Sequence, residues 1–202
     1  MFGGRNQDEN LARLAAELKT FYKACPPGIS KYQGKITMDR IRDPQTLYPK
    51  LKAKGAAARH LAPFALQLAR SYLSPRIVAL CECLVRFYNL IEAEGMFLSE
   101  SAKVEMPILG QTLCELYSTL AIEAFERNER VWKITPKLHL TQHLLEWQCL
   151  YAGNPRFYWA YADEDLIGQM MECASSCHPR TLCGICMFKW ITLTFSDQLA
   201  DL

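Results

Sequence analysis

No uninterrupted apolar run in this chain reaches the length of about 20 residues that a membrane-spanning helix needs, which removes a membrane-embedded role from the readings. The first residues, MFGGRNQDEN, hold no apolar signal core. The nine cysteines are spread from Cys25 to Cys186 without the spacing of a secreted disulfide framework. Together these absences lead us to expect an intracellular protein, nuclear or cytoplasmic, whose thiols are free or metal-bound. Alternating apolar and polar residues in strand-length runs are also scarce, so a sheet-based core is not expected. An excess of charge is missing as well: with 22% charged and 50% hydrophobic residues, the chain has the composition of a folded globular protein.

The formal net charge of +2 conceals an uneven distribution. Residues 1–60 carry 12 Lys or Arg against 5 Asp or Glu, whereas residues 61–202 carry 11 against 16. Either the basic front meets phosphate groups, or the two parts attract one another within one fold.

Helical periodicity dominates what is present. Leu11, Leu14, Leu18 and Phe21 recur at helical spacing over residues 8–23, and Pro26, Pro27 and Gly28 end that element. Residues 29–56 are irregular and basic, carrying Lys31, Lys35, Arg40 and Arg42, with Tyr32 and Tyr48 available to stack on bases; a solvated linker is the alternative. Helix resumes through residues 56–73, with a kink or a new start at Pro63, then over 76–94 behind Ser74 and Pro75. A long helical region covers 100–130, interrupted or started near Pro107. Residues 131–134 suit a short strand or an extended approach to a helix over 137–151. The expected fold is mainly α, an irregular antiparallel helical bundle with at most one or two short strands. Its expected division is a basic N-terminal segment, 1–55, and a helical domain, 56–202.

Residue types able to do chemistry at neutral pH concentrate between Lys137 and Glu172. His139 and His143 are four apart and share a helix face, a two-ligand clamp for a divalent metal if a third ligand arrives, or a pair of packed histidines. Leu140 follows His139 where a zinc protease would carry its general-base glutamate, so that class is rejected. Gly153, Asn154, Pro155 and Arg156 form a turn in which Arg156 is either a phosphate contact or a solvated cation. Asp163, Glu164 and Asp165 suit either a helix start or the oxygen coordination of Mg²⁺ or Mn²⁺. Farther on, Cys173, Cys177, His178, Cys183 and Cys186 offer the donor types of a zinc site, or small hydrophobes in a buried helix.

The run from Pro136 to His143, the Gly153 to Arg156 turn, and Tyr161-x-Asp163-Glu164-x-Leu166-Ile167-Gly168 resemble the final part of the catalytic domain of eukaryotic cut-and-paste transposases related to the Kyakuja, Dileera and Zisupton group. The resemblance covers residues 136–180 and implies that 56–130 correspond to that family's helical insertion. It implies an RNase H-like core in which three acids hold two divalent ions, the third being a glutamate on the last catalytic helix. Tyr161, Glu164 and Gly168 stand at the matching places of the family's aromatic-x-x-Glu-x-x-Asn-Gly pattern, and Ile167 stands where the family has asparagine. On this footing Glu164 would bind a divalent ion with Asp163 or Asp165, and His139 or His143 would organise the site.

Two-metal catalysis needs acids from both sides of the ion pair, and no strand-rich stretch here supplies the first two. The expectation is therefore a non-catalytic, transposase-derived helical protein that retains contacts with DNA or with a protein partner. Two alternatives stand beside it: a zinc-stabilised helical interaction module, and a metal-dependent nuclease fragment completed by upstream acids. The residue types admit zinc or Mg²⁺/Mn²⁺ as cofactors and establish none of them.

Overall fold

The protein is described by a computed structural model covering residues 6–158, 161–175 and 177–199. Among these the fold is mainly α, without a strand; the sole β pairing among them is an isolated antiparallel bridge between Arg42 and Pro49. No described helix is long and apolar enough to cross a membrane. The chain forms two compact units, one ending at Tyr158 and one beginning at Trp159.

In the first unit, α1 (Gln7–Ala24) starts at Asn6, whose side chain accepts the backbone N–H of Glu9 at 2.9 Å, an ordinary N-cap. A single turn, α2 (Met38–Ile41), interrupts the irregular segment. Helices α3 (Gly55–His60) and α4 (Ala62–Tyr72) meet at Leu61, where Pro63 opens the second of them. Then come α5 (Pro75–Ala93) and α6 (Glu100–Glu126). Connections of a few residues place α4 against α5 and α5 against α6 as neighbouring helices.

Helix α6 is continuous through Pro107, so the expected interruption does not occur. A proline inside a helix removes one hydrogen bond and crowds the preceding turn. Seven residues of α6 are buried, from Ala102 and Met106 to Leu120 and Ala124, and their burial outweighs that local loss. Asn128, with φ +55°, ends the element in the left-handed conformation asparagine tolerates.

Residues 131–134 form no strand: they have no partner strand among the described residues, and side-chain packing holds them instead. Trp132 meets Tyr117 edge-on at 5.4 Å, and the Tyr117 hydroxyl donates to the Lys133 carbonyl at 2.8 Å. From Pro136 the chain is helical to Tyr151: α7 (Pro136–His143), a wider π turn (Leu144–Gln148) and α8 (Cys149–Tyr151). Leu145 and Cys149 are buried here, and Leu145 lies against α6 at Gly110. Burial pushes the Cys149 thiol up to about 12, so it stays protonated and behaves as a small hydrophobe.

Residues 1–55 contribute to the core of the first unit. Leu18 of α1, Tyr32 and Phe64 of α4 form one buried cluster, flanked by Leu14, Phe21, Ile36 and Leu68. The second unit holds α9 (Tyr161–Ser175) and α10 (Leu182–Leu199), which pack on each other.

Candidate functional site

A charged concavity of about 1040 Å³ lies between α1 and residues 31–39. Its floor is apolar, with Leu11, Ala15, Leu18, Ile36 and Met38, and its rim carries Lys19, Lys23, Lys31 and Lys35 against Asp8 and Asp39. All four lysines are exposed, and none forms an ion pair among the described residues. Lys19 and Lys23 are four apart on α1, a like-charge spacing that costs helix stability a few tenths of a kcal/mol. The segment that brings Lys31 and Lys35 opposite them is pinned by Tyr32, whose backbone N–H donates to the Tyr22 hydroxyl at 2.7 Å.

Of the basic residues singled out from sequence, Lys31 and Lys35 reach this rim, while Arg40 serves the loop itself. The Arg40 guanidinium donates to the Gln33 carbonyl at 2.8 Å, lies 5.6 Å from the Tyr32 ring centre, and occupies the space beside Gly34. At Gly34, with φ +91°, an added Cβ would collide with that guanidinium. Arg42 pairs through its backbone with Met38 and Pro49. Arg156 is held by Glu92, with its Nε 3.2 Å from the carboxylate and its Nη1 donating to the Glu92 carbonyl at 3.2 Å.

The tyrosines do not form the stacking platform that the sequence suggested. Tyr32 is 8% exposed because its ring completes the cluster with Leu18 and Phe64. Tyr48 is half-buried, with the Lys133 ammonium 5.6 Å from its ring centre. Sequence reasoning missed Lys19 and Lys23; their spacing on α1 was the available signal, obscured because the helix was read for its apolar side alone.

His139 and His143 are brought together on the exposed face of α7. Their Nε2 atoms are 2.9 Å apart, and the rings meet edge-on with centres separated by 4.3 Å. His60, by contrast, is a structural group. Its Nδ1 accepts the Ser30 N–H at 3.0 Å, and its pKa is lowered, first by burial and then by the Arg59 charge.

Asp163, Glu164 and Asp165 fall in the first turn of α9, and their side chains lie outside the described residues. The cysteine-rich segment is described at Cys173, Cys177, His178, Cys183 and Cys186. No three His, Cys, Asp or Glu side chains among the described residues converge to hold a metal ion. Cys177 donates its thiol to the Cys173 carbonyl at 3.0 Å, and Cys186 points toward the Met170 carbonyl at 3.7 Å. Cys183 is exposed, and His178 uses Nδ1 to accept the Arg180 N–H at 3.2 Å. Burial, then neighbouring cysteines, raises the Cys186 pKa.

The Gly153 to Arg156 turn has a structural task. Asn154 is fully buried; its side-chain amide donates to the carbonyls of Ile91 at 2.8 Å, Gly95 at 3.0 Å and Glu94 at 3.2 Å. Its own N–H donates to the Met96 carbonyl at 2.8 Å. It thereby satisfies the C-terminal end of α5, where backbone acceptors lack helical partners. Gly153 has φ +92°, and a Cβ there would lie 2.7 Å from the Met96 oxygen.

Comparison of the chain with protein-family models, curated proteins and solved structures finds no match.

Proposed function

We propose that this chain is a non-catalytic, transposase-derived helical protein that contacts nucleic acid through the basic groove of its N-terminal region. The observation carrying this reading is the ring of Lys19, Lys23, Lys31 and Lys35 around one concavity. Ammonium groups that form no ion pair among the described residues, set around one opening, create a positive potential that a phosphate backbone neutralises, releasing counterions. The burial of Tyr32 argues against base stacking there, so the binding is electrostatic and largely independent of sequence.

Two features support the transposase-derived part. Residues 161–175 form a single helix, the kind of element on which the family's third acid stands, and residues 55–126 are largely helical, as its insertion is. Among the described residues no sheet is present to carry the first two acids, which favours a binding role over cleavage.

The test is fluorescence anisotropy of a labelled random-sequence DNA duplex titrated with the reduced chain between about 50 and 200 mM salt. Four engaged lysines predict a slope of log K against log salt of about −3.6, and Lys19→Gln with Lys31→Gln should lower its magnitude by about 1.8. Absence of binding at the lowest salt, or an unchanged slope in the double variant, would overturn the reading.

A further inference from the structure

We propose that His139 and His143 form a bidentate site for a divalent transition-metal ion that accepts nitrogen ligands at right angles, of the Ni²⁺ or Cu²⁺ type. The separation of 2.9 Å between their Nε2 atoms is the carrying observation. Imidazole nitrogens lie about 2.0–2.1 Å from such cations. Two nitrogens at that distance are roughly 2.8–3.0 Å apart when they subtend 90°, and roughly 3.3–3.4 Å apart in a tetrahedron. The observed bite fits adjacent positions of a square-planar or octahedral ion and is too short for tetrahedral zinc.

The backbone prepares this bite. His139 and His143 stand four apart within α7, which opens at Pro136 and continues through Leu145 and Cys149, both buried. The two rings therefore project from an anchored helix, so chelation costs the freedom of the side chains and not that of the backbone. Both are exposed, so water can fill the remaining positions; no third His, Cys, Asp or Glu donor joins them among the described residues.

Without metal, the same separation accommodates an imidazole–imidazole hydrogen bond, one Nε2–H donating to the other Nε2. Chelation needs both Nε2 lone pairs, so the donor ring carries its hydrogen on Nδ1 in the bound form. Two neutral rings thus bind the ion by a change of tautomer, with no net proton release and no redox step. Hard cations such as Mg²⁺ prefer oxygen and are not expected to compete.

The experiment is a calorimetric titration of NiCl₂ into the reduced full chain carrying Cys183→Ser, which removes the exposed thiol. One Ni²⁺ per chain is expected, with affinity falling at least about tenfold, or about 1.4 kcal/mol, in both His139→Gln and His143→Gln. Glutamine is a good helix former, so circular dichroism should show the fold unchanged. As a second readout, substoichiometric Ni²⁺ should broaden the ring resonances of His139 and His143 together. Equal Ni²⁺ affinity in the parent and both variants, or broadening confined to His60 or His178, would overturn the site and leave a proton-sharing pair only.

Discussion

Asn154 shows how much one polar side chain can organise. A buried amide is costly unless its hydrogen-bonding capacity is used, and here its NH₂ group serves the carbonyls of Ile91, Glu94 and Gly95 while its Oδ1 accepts the Arg156 N–H at 3.0 Å. Asn154→Ala leaves the Ile91 carbonyl buried, and those of Glu94 and Gly95 partly buried, without their donor. The expected loss in urea unfolding is about 2–3 kcal/mol. Asn154→Asp keeps the size but turns a carboxylate oxygen toward three carbonyls, so it should cost at least as much at pH 7. A loss below about 0.5 kcal/mol in either variant would show that the turn is held by other contacts.

At the scale of elements, the crossing of α6 with the π turn depends on a missing side chain. A Cβ on Gly110 would lie 2.6 Å from the Leu145 Cβ, an atom that cannot rotate away because it is fixed to the backbone. Two effects oppose each other at this position. Alanine gains about 1 kcal/mol over glycine in helix propensity, while overpacking a core costs about 1–3 kcal/mol. The clash with a rigid atom should decide the sign, making Gly110→Ala destabilising by about 1–2 kcal/mol. Gly168 in α9 provides the contrast, since among the described residues nothing lies within 4 Å of a Cβ placed there. Gly168→Ala should therefore be stabilising, by up to about 1 kcal/mol in thermal or urea unfolding. Stabilisation by both substitutions would refute the close approach of α6 and Leu145.

For the whole molecule, the division after Tyr158 predicts independent folding of the larger part. The first unit contains the Leu18–Tyr32–Phe64 cluster and the buried positions of α5, α6 and the π turn, including Ile91, Met106 and Leu145. A domain with its own core folds alone. A fragment ending at Tyr158 should unfold in one cooperative transition and retain the salt-dependent DNA binding expected of the basic groove. A non-cooperative melt, with helical signal lost gradually on heating, would show that the core needs residues beyond 158.

The amino-acid sequence determined the helical character and most element boundaries by itself, because apolar periodicity, proline at first helical positions and the absence of strand-like alternation act locally. It marked α5 from Ser74-Pro75 for the same reason. Tertiary structure decided what those helices do with their side chains. Packing carried α6 through Pro107, buried Tyr32 that sequence offered for stacking, and gave Asn154 its three carbonyls. It also gathered Lys19 and Lys23 with Lys31 and Lys35, two pairs separated along the chain by an apolar turn. Each outcome depends on which surface meets which, a long-range property set by burial and hydrogen-bond satisfaction. The four-residue spacing of His139 and His143 was legible locally, but the 2.9 Å bite that selects a coordination geometry required side chains placed in space.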